Sequence, residues 1–377
     1  MRITHLEIVN FRNYKNLDLD FNSNKILIVG KNAQGKTNIL ESIYYISSLK
    51  SLRAKTEAEL ILWKETFASI RLNFTKSDFD SKLELILNPP KKKILKVNDV
   101  KKNKYSDFIS QIKTVNFQVD DLLLLRGAPE NRRDWLDLAI SQIYSAYYDR
   151  LSKYNKIRQQ KVNYLKNSKM LTFDPSLFEV YNSQIAIAGS NILFLRLKFL
   201  KEIVKFAQNT HKSIACDENL AIVYNSTVLG DIYIDENYDL PSINDIVEIY
   251  SQKLEEKKEL ELLRLQALVG VHRDDVSFFI NDIDSKKYAS QGQQRTIVLS
   301  LKLAEVNLIK GKTGYNPLLL LDDVLAELDD IRQSFLLETI NQNIQTIITS
   351  VDALQFDKKY LENVQIFNIN NIKLPFF

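Results

Sequence analysis

Gly30-Lys31-Asn32-Ala33-Gln34-Gly35-Lys36-Thr37 spells the pattern G-x-x-x-x-G-K-[ST]. Just before it, Lys25-Ile26-Leu27-Ile28-Val29 is a continuous apolar run, the mark of a strand buried on both faces. Just after it, Ile39, Leu40, Ile43 and Ile46 recur at helical spacing. A strand, a glycine-bearing turn and a helix in this order let successive backbone N–H groups curl inward around phosphate oxygens. The helix N-terminus adds partial positive charge at the same place. Lys36 is expected to reach β- and γ-phosphates, and the Thr37 hydroxyl to ligate Mg²⁺. The chain has nine glycines in 377 residues, about a third of average usage, which makes a chance match rarer still. The blander reading is an ordinary strand-to-helix turn; the motif and its context favour a nucleotide-binding loop.

One such loop does not separate kinases, GTPases and ATPases. The C-terminal third narrows the choice. Pro317-Leu318-Leu319-Leu320-Leu321-Asp322-Asp323 reads as an apolar strand delivering two adjacent carboxylates to its end. Asp322 would hold the hydration shell of Mg²⁺, and Asp323 would orient or deprotonate an attacking water. Taken alone, a buried strand ending in solvated acids is common. Upstream, Ser290-Gln291-Gly292-Gln293-Gln294 immediately precedes a helical run, Arg295–Lys310. A serine hydroxyl and a glycine-permitted backbone approach at a helix N-terminus make a second anion site.

Working outward, the chain opens with period-2 alternation at Ile3, Leu6 and Ile8, then Leu17, Leu19 and Phe21, which predicts two short strands. Residues 57–100 read as further β-structure, with a hairpin around Asn98-Asp99. From about Arg132 to Gln266 the periodicity is mostly helical, over 135–166, 176–209 and 242–266. Strand patterns return at Val276–Ile280, Leu318–Leu321 and Gln345–Ile348, alternating with helical runs at 294–310 and 330–341. A mixed α/β unit is therefore interrupted in sequence by a helical insertion, with no internal repeat.

Composition bounds the rest. Hydrophobic residues at 45% and charged residues at 26% are ordinary for a folded protein. One cysteine, Cys216, excludes an intramolecular disulfide and a multi-thiolate zinc site. His5, His211 and Cys216 show no ligand spacing, so no transition-metal site is expected. No apolar run approaches a membrane span, and the N-terminus has no apolar signal core, which points to the cytoplasm. The net charge of +4 is small, but residues 91–104 and 149–169 carry +6 each, leaving the remainder at −8. Two basic segments on an acidic body fit either a polyanion footprint or two solvated lysine-rich faces.

The order phosphate loop, Ser-Gln-Gly-Gln-Gln, apolar strand with paired acids and Ala326-Glu327-Leu328-Asp329 resembles the ABC-type ATPase head. There the signature segment of one subunit completes the phosphate-loop site of the other, so ATP joins a head-to-tail dimer. The resemblance narrows at Leu6-Glu7-Ile8-Val9-Asn10-Phe11-Arg12-Asn13-Tyr14 and Val115-Asn116-Phe117 through Asp121-Leu122. It continues at Gly127-Ala128-Pro129-Glu130-Asn131-Arg132-Arg133-Asp134-Trp135-Leu136-Asp137 and Gly270-Val271-His272-Arg273-Asp274-Asp275, then at Tyr288-Ala289-Ser290 through Thr296. These segments, running from residue 1 to about 350, are similar to the RecF family of bacterial DNA replication and repair proteins. Asp rather than Glu at position 323 also resembles that family. The insertion is too short, and lacks sustained heptads, for the long coiled coils of SMC-type heads.

The resemblance implies an α/β fold, an ABC-type ATPase head with a P-loop core in a mixed sheet and an antiparallel β-subdomain. Residues 1–110 and 270–377 would form the head, and 111–269 a mostly helical second lobe. It implies ATP and Mg²⁺ as cofactors. Asp323 and Lys36 would be catalytic; Gly30, Lys31, Asn32, Ala33, Gln34, Gly35, Lys36 and Thr37 would bind nucleotide. So would Arg12 and Asn13, with Ser290, Gly292 and Gln293 supplied by the partner copy; Thr37 and Asp322 would hold the metal. The partners implied are duplex and gapped DNA, a second copy of the chain, and RecR and RecO, helping to load RecA on single strands coated by SSB. No membrane partner is implied. No histidine follows Gln345–Ile348, and the short Asp323 would hold water less readily than Glu, so slow hydrolysis is expected, a switch rather than a motor. Lys91, Lys92, Lys93, Lys96, Lys101 and Lys102 beside the hairpin, or Arg150, Lys153, Lys156, Arg158 and Lys161 along a helix, would track DNA phosphates. Arg132 and Arg133 would bind the DNA backbone or clamp the lobe internally. The alternatives are another SMC-like or ABC-type ATPase acting on a different partner, and a small-molecule phosphotransferase, which leaves the Ser290 segment unexplained.

Overall fold

The structure is a computed structural model that describes residues 1–51, 53–77, 79–167, 173–340, 343–353, 356 and 361–369. The chain divides into two compact units, Met1–Asp121 with Glu305–Phe377, and Leu122–Ala304. The sequence reading places these divisions at 110/111 and 269/270.

The first unit begins with β1 (Arg2–Phe11) and β2 (Tyr14–Asp20), whose alternating apolar side chains are buried. The fully apolar β3 (Lys25–Val29) leads into the loop, and α1 (Lys36–Ser48) follows it. Next come β4 (Ala68–Lys76), β5 (Phe79–Leu87), β6 (Ile94–Val97) and β7 (Val100–Lys101). Among the described residues these strands form an antiparallel sheet ordered β2-β1-β4-β5-β6-β7. The expected hairpin joins β6 to β7, with φ of 49° at Asn98 and 63° at Asp99. Two consecutive left-handed residues match the right-handed twist of the flanking strands. After α2 (Tyr105–Ile109), β8 (Thr114–Gln118) returns to the unit's other sheet.

The second unit contains α3 (Leu123–Arg126), α4 (Pro129–Ile143), α5 (Ala146–Asn167) and α6 (Pro175–Ile214). It is not helical alone. Strands β9 (Leu220–Ser226) and β10 (Gly230–Ile234) precede α7 (Ile243–Glu256) and α8 (Lys258–Arg264). Then come β11 (Asp275–Ile280), β12 (Ile283–Asp284), α9 (Ser285–Tyr288) and α10 (Gln291–Thr313), whose residues from Glu305 on count with the first unit. The strands pair in the order β10-β9-β11-β12. A buried polar knot fixes the helices to this sheet. Arg196 of α6 donates to Asp137, to the Tyr224 hydroxyl and, at 2.6 Å, to the Val271 carbonyl. Asp274 accepts from Tyr224 and from both the N–H and hydroxyl of Thr227. A network satisfied at this many points specifies one packing, because breaking any member strands a buried charge.

The chain ends with β13 (Leu318–Asp322), α11 (Asp330–Thr339), β14 (Thr346–Ser350) and β15 (Val364–Asn368). The last residue of the expected 330–341 helix lies outside the described residues. Strands β15-β3-β14-β13-β8 form a parallel sheet. Pairing β8 with β13 is why residues 114–118 belong to this unit. Leu318, Leu319, Leu320 and Leu321 are buried, each contributing roughly 1.5–3 kcal/mol, and this anchors the acids that follow them. The register aligns Val29 with Ser350, Asp322 with Thr349, and Asp322 with Gln118. The carboxyl ends of four strands therefore open at one edge of the sheet, where α/β folds bind ligands.

Candidate nucleotide site

The loop between β3 and α1 requires its second glycine twice over. Gly35 has φ +96°, and a Cβ there would lie 2.5 Å from Asn13 Nδ2 and 2.9 Å from the Tyr14 hydroxyl oxygen. Lys36 is 4% exposed, and its Nζ donates to the carbonyls of Gly30 (2.8 Å) and Lys31 (3.3 Å). The ammonium thus sits within the curl of the loop, beside the N-terminus of α1.

The Thr37 hydroxyl donates to Asp322 Oδ1 at 3.0 Å, joining the loop to the end of β13. Thr349 donates to the same oxygen at 2.8 Å and accepts the Asp323 N–H at 2.9 Å. Burial raises the Asp322 carboxyl above its ordinary pKa, the two threonine hydroxyls oppose the shift, and the Asp323 charge adds to it. A hydroxyl and a carboxylate oxygen side by side fit a hard cation that keeps several of its waters, so Thr37 and Asp322 would hold Mg²⁺. Bound there, the ion would supply charge neutralisation to phosphate oxygens. Asp323 itself adopts φ 51°, an unusual backbone state for a residue with a Cβ.

Next to the loop, a cleft of ≈ 650 Å³ is lined by Arg12, Asn13, Asn38, Arg53 and Trp63, among others. Arg12 makes a two-pronged ion pair with Glu41 of α1 at 2.7 and 2.8 Å and donates to the Glu59 carbonyl. Asn13 accepts from Asn38 at 2.8 Å. The structure therefore brings Arg12 and Asn13 to the loop, with the Arg12 guanidinium already held by a carboxylate. Sequence reasoning missed Thr349, Arg53 and the 75%-exposed Trp63. An apolar strand ending in Thr349-Ser350 was the available signal for the first. Gln118, the last residue of β8, pairs with Asp322 and so stands at the site's edge.

In the second unit, Ser290 caps α10 through a reciprocal pair. Its N–H donates to Gln293 Oε1 at 2.8 Å, and the Gln293 N–H donates to the serine hydroxyl at 3.2 Å. Gln293 Nε2 also reaches Glu218 at 2.9 Å. Ser290 is exposed and Gly292 half-buried.

The basic residues sort sharply. Lys91, Lys92, Arg150 and Lys153 are exposed. Lys93 is not free for DNA: its ammonium pairs with Glu57 at 2.6 Å and lies over the Tyr45 and Tyr105 rings. Lys161 is 0% exposed and pairs with Glu261 at 2.5 Å. Arg132, 3% exposed, forks onto Asp275 at 2.6 and 2.8 Å and donates to the carbonyls of Leu124 and Gly127. Of its two expected roles, the internal clamp is the one this geometry serves. Among the described residues Arg133 gives one hydrogen bond, to the Asp274 carbonyl at 3.0 Å, and keeps its remaining donors. His5, expected to stand apart, lies against Asp18 and Asp20 through the β1–β2 register, on an exposed strand face.

The family model described as the RecF/RecN/SMC N terminal domain matches residues 2–373. The DNA replication and repair protein RecF of Bacillus velezensis is 38% identical over 98% of this chain and 99% of its own. The chain belongs to the RecF family. The Latilactobacillus sakei RecF is 36% identical over 98% of both chains. A solved structure described as the recombination mediator protein RecF-ATP in the RecFOR pathway superposes with a TM-score of 0.87. It is 32% identical and covers 94% of this chain and 93% of its own. An Smc head bound to the C-winged helix domain of ScpA, 15% identical with a TM-score of 0.52, shares the fold. The expected α/β ATPase-head class stands, with the addition that the RecF-type second lobe carries its own antiparallel sheet. No described helix is long and apolar enough to cross a membrane.

Proposed function

We propose that the chain is an ATP-dependent DNA-binding protein of replication and recombinational repair. ATP and Mg²⁺ bind at Gly30–Thr37 with Asp322, and Ser290, Gly292 and Gln293 of a second copy close over the phosphates. The resulting head-to-tail dimer clamps DNA near junctions of double and single strands, with RecR and RecO as partners in loading the recombinase. Slow hydrolysis, with Asp323 orienting water, releases the clamp. The observation that carries this reading is the Thr37–Asp322–Thr349 chain of hydrogen bonds, which couples the phosphate loop to the paired acids. The relatives' description as replication and repair proteins, and the RecF-ATP structure, support the same direction.

Lys36→Met removes the ammonium without disturbing the α1 core. Sedimentation velocity is expected to show the wild-type chain shifting from monomer to dimer with ATP and Mg²⁺, and the variant remaining monomeric. ATP-driven dimerisation of the variant at the wild-type level would refute the composite site.

A further inference from the structure

Two motifs with no role in the nucleotide site, Gly127–Asp137 and Gly270–Asp275, interlock in the second unit. Arg132 pairs with Asp275, and Arg133 donates to the Asp274 carbonyl. Each motif thereby buries one ionic residue and leaves its neighbour, Arg133 or Arg273, facing a cleft of ≈ 550 Å³. The third basic residue lining it is Arg158 of α5, with Gln159 and Gln266 as neutral donors.

The charge of this cleft is unbalanced. Arg133, Arg158 and Arg273 form no ion pair with any described carboxylate, and Glu130 is the lone acid among the described lining residues. Arg273 uses two of its five N–H donors on the Ala267 carbonyl and Gln266 Oε1, at 3.3 and 3.1 Å. His272, also lining the cleft, does not add charge. Its Nε2 lies 3.1 Å from the Ala267 carbonyl, which can only accept, so Nε2 carries the proton and Nδ1 accepts from the Tyr154 hydroxyl at 2.7 Å. Burial pushes the imidazole down to about 3, and all three guanidiniums push the same way. The cleft also opens at the first turn of α4, where Ala128, Pro129 and Glu130 line it and the helix dipole adds positive potential.

Three like charges gathered around a neutral imidazole repel one another unless an anion joins them. Guanidinium forks match the oxygens of a tetrahedral oxyanion in pairs, which a flat carboxylate cannot offer to three arginines at once. We propose that Arg133, Arg158 and Arg273 form a phosphate-binding site in the second unit, separate from the ATP loop, that takes one phosphate group at a time. The group comes from a DNA strand, at its end or along its length, or from free phosphate. The site does not depend on the ATP-clamp reading, since its residues and the loop lie in different units.

The test is calorimetric titration of the full chain with inorganic phosphate, comparing wild type, Arg158→Gln, Arg273→Gln and Lys36→Met. Arg158 makes no hydrogen bond among the described residues, so Arg158→Gln is expected to fold and melt as the wild type does. Each arginine variant is expected to lose about tenfold in phosphate affinity, the scale of one charge-assisted contact, while Lys36→Met keeps it. Undiminished binding by both arginine variants, or loss of binding in Lys36→Met alone, would overturn the site, the latter by placing the phosphate in the loop. Failure of the nucleotide reading shows separately, as no ATP binding by the wild type. A second arm compares 5′-phosphorylated and 5′-hydroxyl duplexes. A preference for the phosphorylated end that vanishes in Arg158→Gln supports the site and assigns a terminal phosphate. An equal loss on both duplexes supports it and assigns internal phosphodiesters. A loss confined to inorganic phosphate supports it and assigns the free ion. Binding of a polyglutamate peptide lost in Arg158→Gln, with no phosphate binding by the wild type, would overturn it in favour of an acidic protein segment.

Discussion

At the scale of single residues, Asp322 carries a cost at neutral pH that a bound cation offsets. Its folded pKa is raised by burial, so the folded chain holds this proton more tightly than the unfolded chain does. The associated stability is fully present below the ordinary carboxylate pKa and is lost as pH rises through the raised value. At neutral pH the buried anion, with Asp323 beside it, destabilises the apo protein, and a divalent cation offsets that. Mg²⁺ with ATP is therefore expected to raise the melting temperature more at about pH 8 than at about pH 4, close to the ordinary carboxylate pKa, where the raised pKa leaves much of Asp322 protonated and a poor ligand. Asp322→Asn should flatten the difference. Differential scanning calorimetry at the two pH values decides it: an equal Mg²⁺-dependent shift at both in the wild type would remove Asp322 from the metal site. This residue pair was legible in the sequence because a strand ending in two acids is a local pattern. Thr349, which bridges them, was not, because the contact exists only once β14 is registered against β13.

At the scale of elements, α5 shows what a charge run conceals. Residues 149–169 read as one basic stripe, yet Tyr154, Ile157, Lys161 and Leu165 face inward at three- and four-residue spacing. That stripe places Lys161 in the core against Glu261, and leaves Arg150, Lys153 and Lys156 exposed on the opposite face. The periodicity was available in the sequence; the charge count overrode it. Reversing Arg150, Lys153 and Lys156 to glutamate is expected to weaken duplex binding uniformly across sequences. It should also reduce the slope of log K against log salt by about 2–3, since each phosphate contact contributes about 0.9. Fluorescence anisotropy across a salt series measures both, and an unchanged slope would clear this face of DNA contact. The long helices and the β6–β7 turn were legible because their signals are local. The expected helix over 135–166 breaks between Ile143 and Ala146, and β9 and β10 went unseen among helices. β9 is held by pairing with β11 about fifty residues on, such as Asn225 with Asp275, a register no window of sequence contains; β10 then pairs with β9 across the short turn between Ser226 and Gly230.

At the scale of the molecule, one chain holds half of each of two kinds of surface, a phosphate loop in the first unit and a capped signature helix in the second. If ATP bridges the loop of one copy to the Ser290 segment of another, a dimer has two sites, each built from both copies. Lys36→Met then spoils a loop and spares a signature, while Ser290→Arg spoils a signature and spares a loop. Neither variant can make a working site with itself. Mixed together, they form a heterodimer in which the loop of the Ser290→Arg copy meets the signature of the Lys36→Met copy, one intact site out of two. The mixture is therefore expected to recover ATP-dependent association and part of the ATPase rate, where each variant alone shows neither. Sites completed within a single copy would give a mixture no better than the sum of its parts. Differently labelled variants in a fluorescence-transfer assay separate the two outcomes, because transfer on adding ATP requires the two copies to meet. Arg as the replacement at Ser290 matters: it removes the hydroxyl that caps α10 and adds bulk at an exposed position. Losing the cap costs about 1 kcal/mol, too little to unfold a protein of this size, so a failure of the mixture to recover would count against the shared site rather than against the fold.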